Sequence, residues 1–257
     1  MEGPSLKLAS AQLQPFMGKR VMAVRGNTTK VEKERCGNQV VKDVFSHGKQ
    51  LFMQFGGFAL RTHFLLFGTY EADVAGTTVT GDYVRAREPR LALSFRNGEL
   101  RLFGCSLRYI KGADVRASLD FSTDVLAPEW DPKRALAALA RMGNEQICDV
   151  LLDQEVFAGV GNIIKNEVLS LERVSPKVKV RNLSVAKRRA VIRRTVEYSA
   201  QFLAWRSENQ LRKHLLVHAR KNCPHCGGPL LHEITGKRGR RAHYCPRCQR
   251  LSWRGGA

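Results

Sequence analysis

The sequence predicts an α+β protein in three parts: an amino-terminal antiparallel β-sandwich with a leading helix, a helical domain, and a carboxyl-terminal ribbon built on four cysteines. Three observations predict it. Short β-type segments with Gly and Asn-Gly punctuation fill the first half, a pattern of hairpins rather than βαβ units. After Pro128 and Pro132 the apolar residues switch to helical spacing. Near the end, Cys223-Pro-His-Cys226 and Cys245-Pro-Arg-Cys248 are two Cys-x2-Cys knuckles separated by 18 residues, which lets four thiolates converge tetrahedrally on one structural Zn2+.

The leading helix is expected from Leu6, Leu8, Ala9, Leu13 and Phe16, with Ser5 as its N-cap and Pro15 and Gly18 at its end. The strands expected behind it run 20–24, 40–45, 51–55, 59–64, 68–71, 91–95, 99–103 and 107–110. The stretch 74–89 has little apolar content and reads as a long mobile loop. Helices follow at 134–141, 147–153, 163–171 and 184–205, the last carrying Lys187, Arg188, Arg189, Arg193 and Arg194. The domains expected are 1–118, a linker 119–132, 133–218 and the ribbon 219–252.

A chain of 257 residues has room for two or three domains with their own cores, and its formal charge of +20 suits a polyanion. Ordinary apolar content makes it a folded basic protein rather than a disordered tail. Cys36, Cys105 and Cys148 form no paired pattern, so a reducing cytosol is expected rather than a secreted disulfide framework. No apolar run reaches the length of a membrane span, and no signal pattern or internal repeat is present.

Several groups invite a functional reading beside a structural one. Lys237, Arg238, Arg240 and Arg241 lie between the knuckles, and from Ala219 to Ala257 the only acidic residue is Glu233, which suits a cationic tip against a phosphate backbone; a plain zinc staple is the alternative. Phe157-Ala158-Gly159-Val160-Gly161-Asn162 leads into a helix, where backbone N–H groups and the Asn162 amide suit a phosphate, or where Asn162 is a simple cap. Lys49 sits between Gly48 and a strongly apolar strand, where a rigid edge could hold its ammonium at the domain face or where it is an exposed edge lysine that discourages aggregation. Leu65-Leu66-Phe67 places three large apolar residues in a row; a strand buries one face, so at least one must point away from the core, as packing or as a wedge for a base stack.

Together these stretches resemble the formamidopyrimidine-DNA glycosylase and endonuclease VIII family over nearly the full length. The resemblance rests on Glu2-Gly3-Pro4, a sandwich carrying Lys49, the helix-two-turn-helix sequence from Asp153-Gln154 through Gly159-Val160-Gly161-Asn162 to Pro176, and the ribbon ending in Cys248-Gln249. Glu-Gly-Pro and the contiguous wedge Leu65, Leu66 and Phe67 look like the endonuclease VIII branch, which removes oxidised pyrimidines.

The resemblance implies a base-excision-repair glycosylase and abasic-site lyase, acting as a monomer on double-stranded DNA with damaged bases or abasic sites, in a bacterial cytoplasm at the nucleoid. A terminal amine forms a Schiff base with the sugar, followed by β,δ-elimination, with Glu2 as the acid-base group. Lys49, Asn162, Arg240 and Arg241 match the phosphate grip, Lys49 also belongs to the reacting centre, and Glu167 matches a glutamate that positions the terminus. The family's nucleophile is a proline directly before the glutamate; here Met1 stands there. Either its primary amine takes the role, or the proline is missing from the sequence, or the chain is a paralogue that binds damage without cutting. A zinc-ribbon RNA-associated protein is a third class of reading.

Overall fold

The structure, a computed structural model, describes residues 1–81 and 88–250. The chain divides into two compact units, one of Met1 with Gly3–Leu119, the other of Glu2 with the chain from Asp120 onward.

In the first unit, helix α1 (Gly3–Gln12) begins three residues earlier than expected. Pro4 is the reason: its fixed φ and missing N–H suit a first turn, so Ser5 lies inside the helix, buried, instead of capping it. Leu6, Ala9, Leu13 and Phe16 form the apolar stripe and sink into the core of the sheet, with Phe16 stacked on Phe95 at 4.4 Å.

Seven antiparallel strands make one sheet: β1 (Ala23–Arg25), β2 (Asp43–His47), β3 (Gln50–Gln54), β4 (Phe58–Val74), β5 (Thr77–Thr80), β6 (Leu91–Phe95) and β7 (Gly98–Lys111). Their order is β1-β6-β7-β4-β3-β2, with β5 against β4. The sandwich expected from sequence arises because β4 and β7 run through both halves of this sheet. Residues 59–63 of β4 pair with β3 while residues 71–74 pair with β5. One core collects Val44, Leu51 and Met53 from one half and Leu91, Leu93, Leu100 and Leu102 from the other.

Two pairs of expected strands are therefore single strands. A bulge between Phe64 and Thr69 divides β4 in the sequence pattern without ending it. Part of the expected loop 74–89 is also strand: Ala75 and Gly76 both take positive φ, the geometry of a tight hairpin, and Thr77–Thr80 pairs back on β4. Residues 82–87 of that loop lie outside the described residues.

In the second unit, α2 (Pro132–Arg141) starts on an Asp131 cap that accepts from the Lys133 and Arg134 amides. It is followed by α3 (Ile147–Val150), α4 (Asn162–Leu171), α5 (Val185–Ser207, capped by Ser184) and α6 (Leu211–His214). Leu139, Ile147, Leu151, Phe157, Val160, Ile164, Val168, Val191, Tyr198 and Phe202 form their shared core. The basic run of α5 is in good part paired: Lys187 and Arg194 meet Glu172, and Arg193 and Arg194 meet Glu197. The ribbon is the hairpin β8 (Leu231–Thr235) and β9 (Arg240–Tyr244). Among the described residues no helix is long and apolar enough to cross a membrane.

Candidate functional site

Glu2 is buried on the N-terminus of α4. Its carboxylate accepts from the amides of Gly161 at 3.2 Å, Ile163 at 2.6 Å and Ile164 at 3.2 Å. A helix start leaves such N–H groups unsatisfied and carries the positive end of the dipole, so a carboxylate is its natural occupant. This corrects one expectation from sequence: the amides that suit a phosphate are taken by the chain's own glutamate. Gly161 permits the seat, since a Cβ at that position would fall inside the Glu2 carboxylate.

Asn162 is the first residue of α4, half-exposed, with Gly161 rather than Asn162 in the cap position. Its side-chain oxygen accepts from Lys165 Nζ at 2.9 Å, and the same ammonium donates to the Arg241 carbonyl at 3.3 Å. Lys165 is 0% exposed. Burial brings its pKa down to about 8, against the charges of Cys148, Glu2 and Asp149 that support the ammonium. Sequence reasoning missed this residue, because one lysine in a polar helix stretch carries no signal of burial.

The ribbon is fastened to the helices at several points. Asp149 accepts from the Lys237 and Arg238 amides at 2.9 and 3.0 Å, and Gly236 is required where its carboxylate presses on the turn. Asn166 Nδ2 reaches the Arg241 carbonyl at 3.4 Å, and Gln249 Nε2 donates to the Val174 carbonyl at 2.9 Å. The cationic tip needs correction: Lys237 pairs with Glu145 and Arg238 with Asp153, helix-side acids that a view of the ribbon alone omits. Arg240 and Arg241 are exposed and not ion-paired among the described residues, so the available positive charge is theirs.

Glu167 is wholly buried and accepts from the Leu216, Val217 and His218 amides at 2.7, 3.1 and 2.8 Å. Burial raises its pKa against the pull of these amides. Its geometry is that of a clasp between α4 and the segment entering the ribbon.

In the first unit, Met1 packs half-buried on the sheet core. Lys49 shares with Gly48, at φ +53°, the two-residue turn that joins β2 to β3. It is a turn residue, and β3 is paired on both sides, so the edge-guard reading falls. The His63 ring places Nδ1 3.1 Å from the Lys49 carbonyl, which fixes the proton on that nitrogen. Burial lowers the His63 pKa, and the positive charges of Lys49, the Met1 amine and Arg61 add to the effect, against the hydrogen bond to the Lys49 carbonyl. His63, Lys49 and the Met1 amine therefore share one neighbourhood, a grouping that a lone strand histidine did not signal.

The β4 bulge carries Leu65, Leu66 and Phe67, which are 53%, 73% and 70% exposed. Five residue steps from Phe64 to Thr69 on β4 face two from Cys105 to Phe103 on β7. The excess chain is displaced out of the ladder, so all three side chains, rather than at least one, leave the core. Gly68 fits beneath because a Cβ there would strike the Gly104 carbonyl.

The sulfurs of Cys223, Cys226, Cys245 and Cys248 all lie within 4.8 Å of one another, with Cys223 and Cys248 at 3.9 Å and Cys226 and Cys245 at 3.6 Å. Thiolates held tetrahedrally at about 2.3 Å from a zinc ion lie about 3.8 Å apart, so the four fit such an ion. Cys36, Cys105 and Cys148 are buried, and none of them is in a disulfide among the described residues.

Residues 122–203 match a family described as the formamidopyrimidine-DNA glycosylase H2TH domain. Endonuclease 8-like 3 of Mus musculus is 32% identical over 82% of this chain and 35% of its own length. Endonuclease 8 2 of Mycobacterium bovis is 29% identical over 82% of this chain and 84% of its own. The chain thus spans about a third of the length of the mouse relative, and relatives occur in bacteria and mammals alike. The fold is also that of Lactococcus lactis formamido-pyrimidine DNA glycosylase bound to DNA containing an AP site, with a TM-score of 0.82 at 20% identity over 97% of this chain and 99% of that one.

Proposed function

Because the chain belongs to the formamidopyrimidine-DNA glycosylase and endonuclease VIII family, we propose that it is a DNA glycosylase and abasic-site lyase that removes oxidised bases, pyrimidines foremost, from duplex DNA. The observation that carries this reading is the seat of Glu2. A carboxylate held by three helix-end amides is fixed in place beside residue 1, whose amine is the family's reacting position.

The proposed sequence begins with attack of the Met1 nitrogen on C1′ of an extruded nucleoside. The bond from C1′ to the base breaks and the base departs with a proton. Ring opening gives a protonated Schiff base, which acidifies the C2′ proton; loss of that C2′ proton expels the 3′ phosphate from C3′, and loss of the C4′ proton then expels the 5′ phosphate from C5′. Glu2 moves the protons at O4′ and C2′. Lys49, Asn162, Arg240 and Arg241 hold the phosphates, and Leu65, Leu66 and Phe67 fill the space left by the extruded nucleotide. Cys223, Cys226, Cys245 and Cys248 would hold one structural Zn2+, which would supply folding energy rather than chemistry. The protein is proposed to act as a monomer at the bacterial nucleoid.

Borohydride reduction in the presence of an abasic-site duplex tests the chemistry. A covalent adduct mapping to residue 1 is expected, and intact binding with no adduct overturns the lyase step. Met1 in place of proline directly before Glu2 favours a second reading, a damage-binding paralogue, for which insertion of proline before Glu2 yields no cleavage. For the grip, Arg240→Ala and Lys49→Ala are each expected to lower the slope of log K against log salt by about 0.9, one phosphate contact apiece. Unchanged slopes remove those assignments.

A further inference from the structure

We propose that Lys165 is a positioning residue that locks the Asn162 side chain in the one orientation a phosphate accepts. The inference rests on the DNA-binding reading above. Phosphate oxygens accept hydrogen bonds and do not donate them, so Asn162 serves the backbone through its NH2 group alone. An asparagine amide turned over would present its oxygen to an anion.

Lys165 decides the matter. An ammonium has three donors and no acceptor, so the atom of Asn162 that faces it at 2.9 Å is the oxygen. The NH2 group then points the other way, on the half-exposed first residue of α4. The same ammonium takes the Arg241 carbonyl at 3.3 Å, so the helix that carries Asn162 and the strand that carries Arg240 and Arg241 are tied through one nitrogen.

A purely architectural tie between a helix and a strand does not call for an ammonium. A wholly buried lysine is costly to desolvate, and an apolar side chain of similar volume commonly serves packing as well. What an apolar side chain does not do is distinguish the two ends of an amide.

The test is a double-mutant cycle on the full chain, measuring affinity for a duplex with an uncleavable tetrahydrofuran abasic analogue at fixed salt. Asn162→Ala and Lys165→Met are each expected to weaken binding about 10-fold, and the double variant about 10- to 20-fold instead of the roughly 100-fold product of independent effects. A double variant at the product, or Lys165→Met at wild-type affinity, overturns the proposal and leaves the DNA-binding reading standing. Asn162→Ala without effect overturns the proposal together with the phosphate role of Asn162. Lys165→Gln, whose own amide can face either end of Asn162 and so no longer fixes its orientation, takes the place of Lys165→Met if that variant does not fold, with the same criterion.

Discussion

Glu2→Gln is expected to lower turnover on an abasic-site duplex by about 10³-fold while leaving affinity for the uncleavable duplex within about 10-fold of wild type. Two effects combine. The amide has no proton to exchange at the pH of the reaction, so acid-base work at the sugar stops. Its NH2 end also meets at least one of the three N–H groups that the carboxylate now satisfies, a donor against a donor. Each charge-assisted bond contributes about 1.5–3 kcal/mol, so the side chain is loosened from its seat as well as disarmed. Single-turnover kinetics with the base excision and strand scission steps followed separately give the measurement. Turnover within about 10-fold of wild type would falsify the acid-base role.

Removal of the metal proposed for the cysteine cluster is expected to unfold the ribbon and weaken duplex binding by about 100-fold or more. Among the described residues, the buried hydrophobic cluster beneath the cysteines consists of Val217, Cys223, Leu230 and Cys245, and two of these four belong to the proposed metal site. Such a core is too small to hold a hairpin, whereas zinc binding to small four-ligand modules contributes on the order of 10–16 kcal/mol. Without the ion, β9 loses the frame on which Arg240 and Arg241 stand, and the Asp149, Lys165 and Asn166 contacts are left to hold a disordered strand. Chelation or Cys248→Ser, followed by metal analysis and binding titration, reads both effects. Full affinity in metal-free protein would mean that the helices and sheet grip DNA without the ribbon.

The parts legible in the sequence are those whose determinants lie close together in the chain. Two Cys-x2-Cys pairs specify their own geometry, and helical spacing places α5 at 184–205 against the observed Val185–Ser207, while α2 starts at Pro132, two residues before the expected 134. Three consecutive apolar residues at 65–67 do not fit a pleated strand, so their exposure was half readable; the bulge that releases all three depends on where β7 pairs. The seat of Glu2 joins residues about 160 positions apart, and nothing near either end encodes it. Lys237 and Arg238 read as free charge for the same reason, since Glu145 and Asp153 that neutralise them are some 90 residues upstream. Charge near the knuckles is visible in one dimension. Its availability is decided in three.

Gly161 and Gly236 have no functional group, yet each lies where a carboxylate presses against bare backbone. A single added methyl at 161 would evict Glu2 from its seat, and one at 236 would push the ribbon turn away from Asp149. Inherited or engineered variants at these two places thus belong with the severe ones, even though a tally of chemically active side chains would count nothing lost.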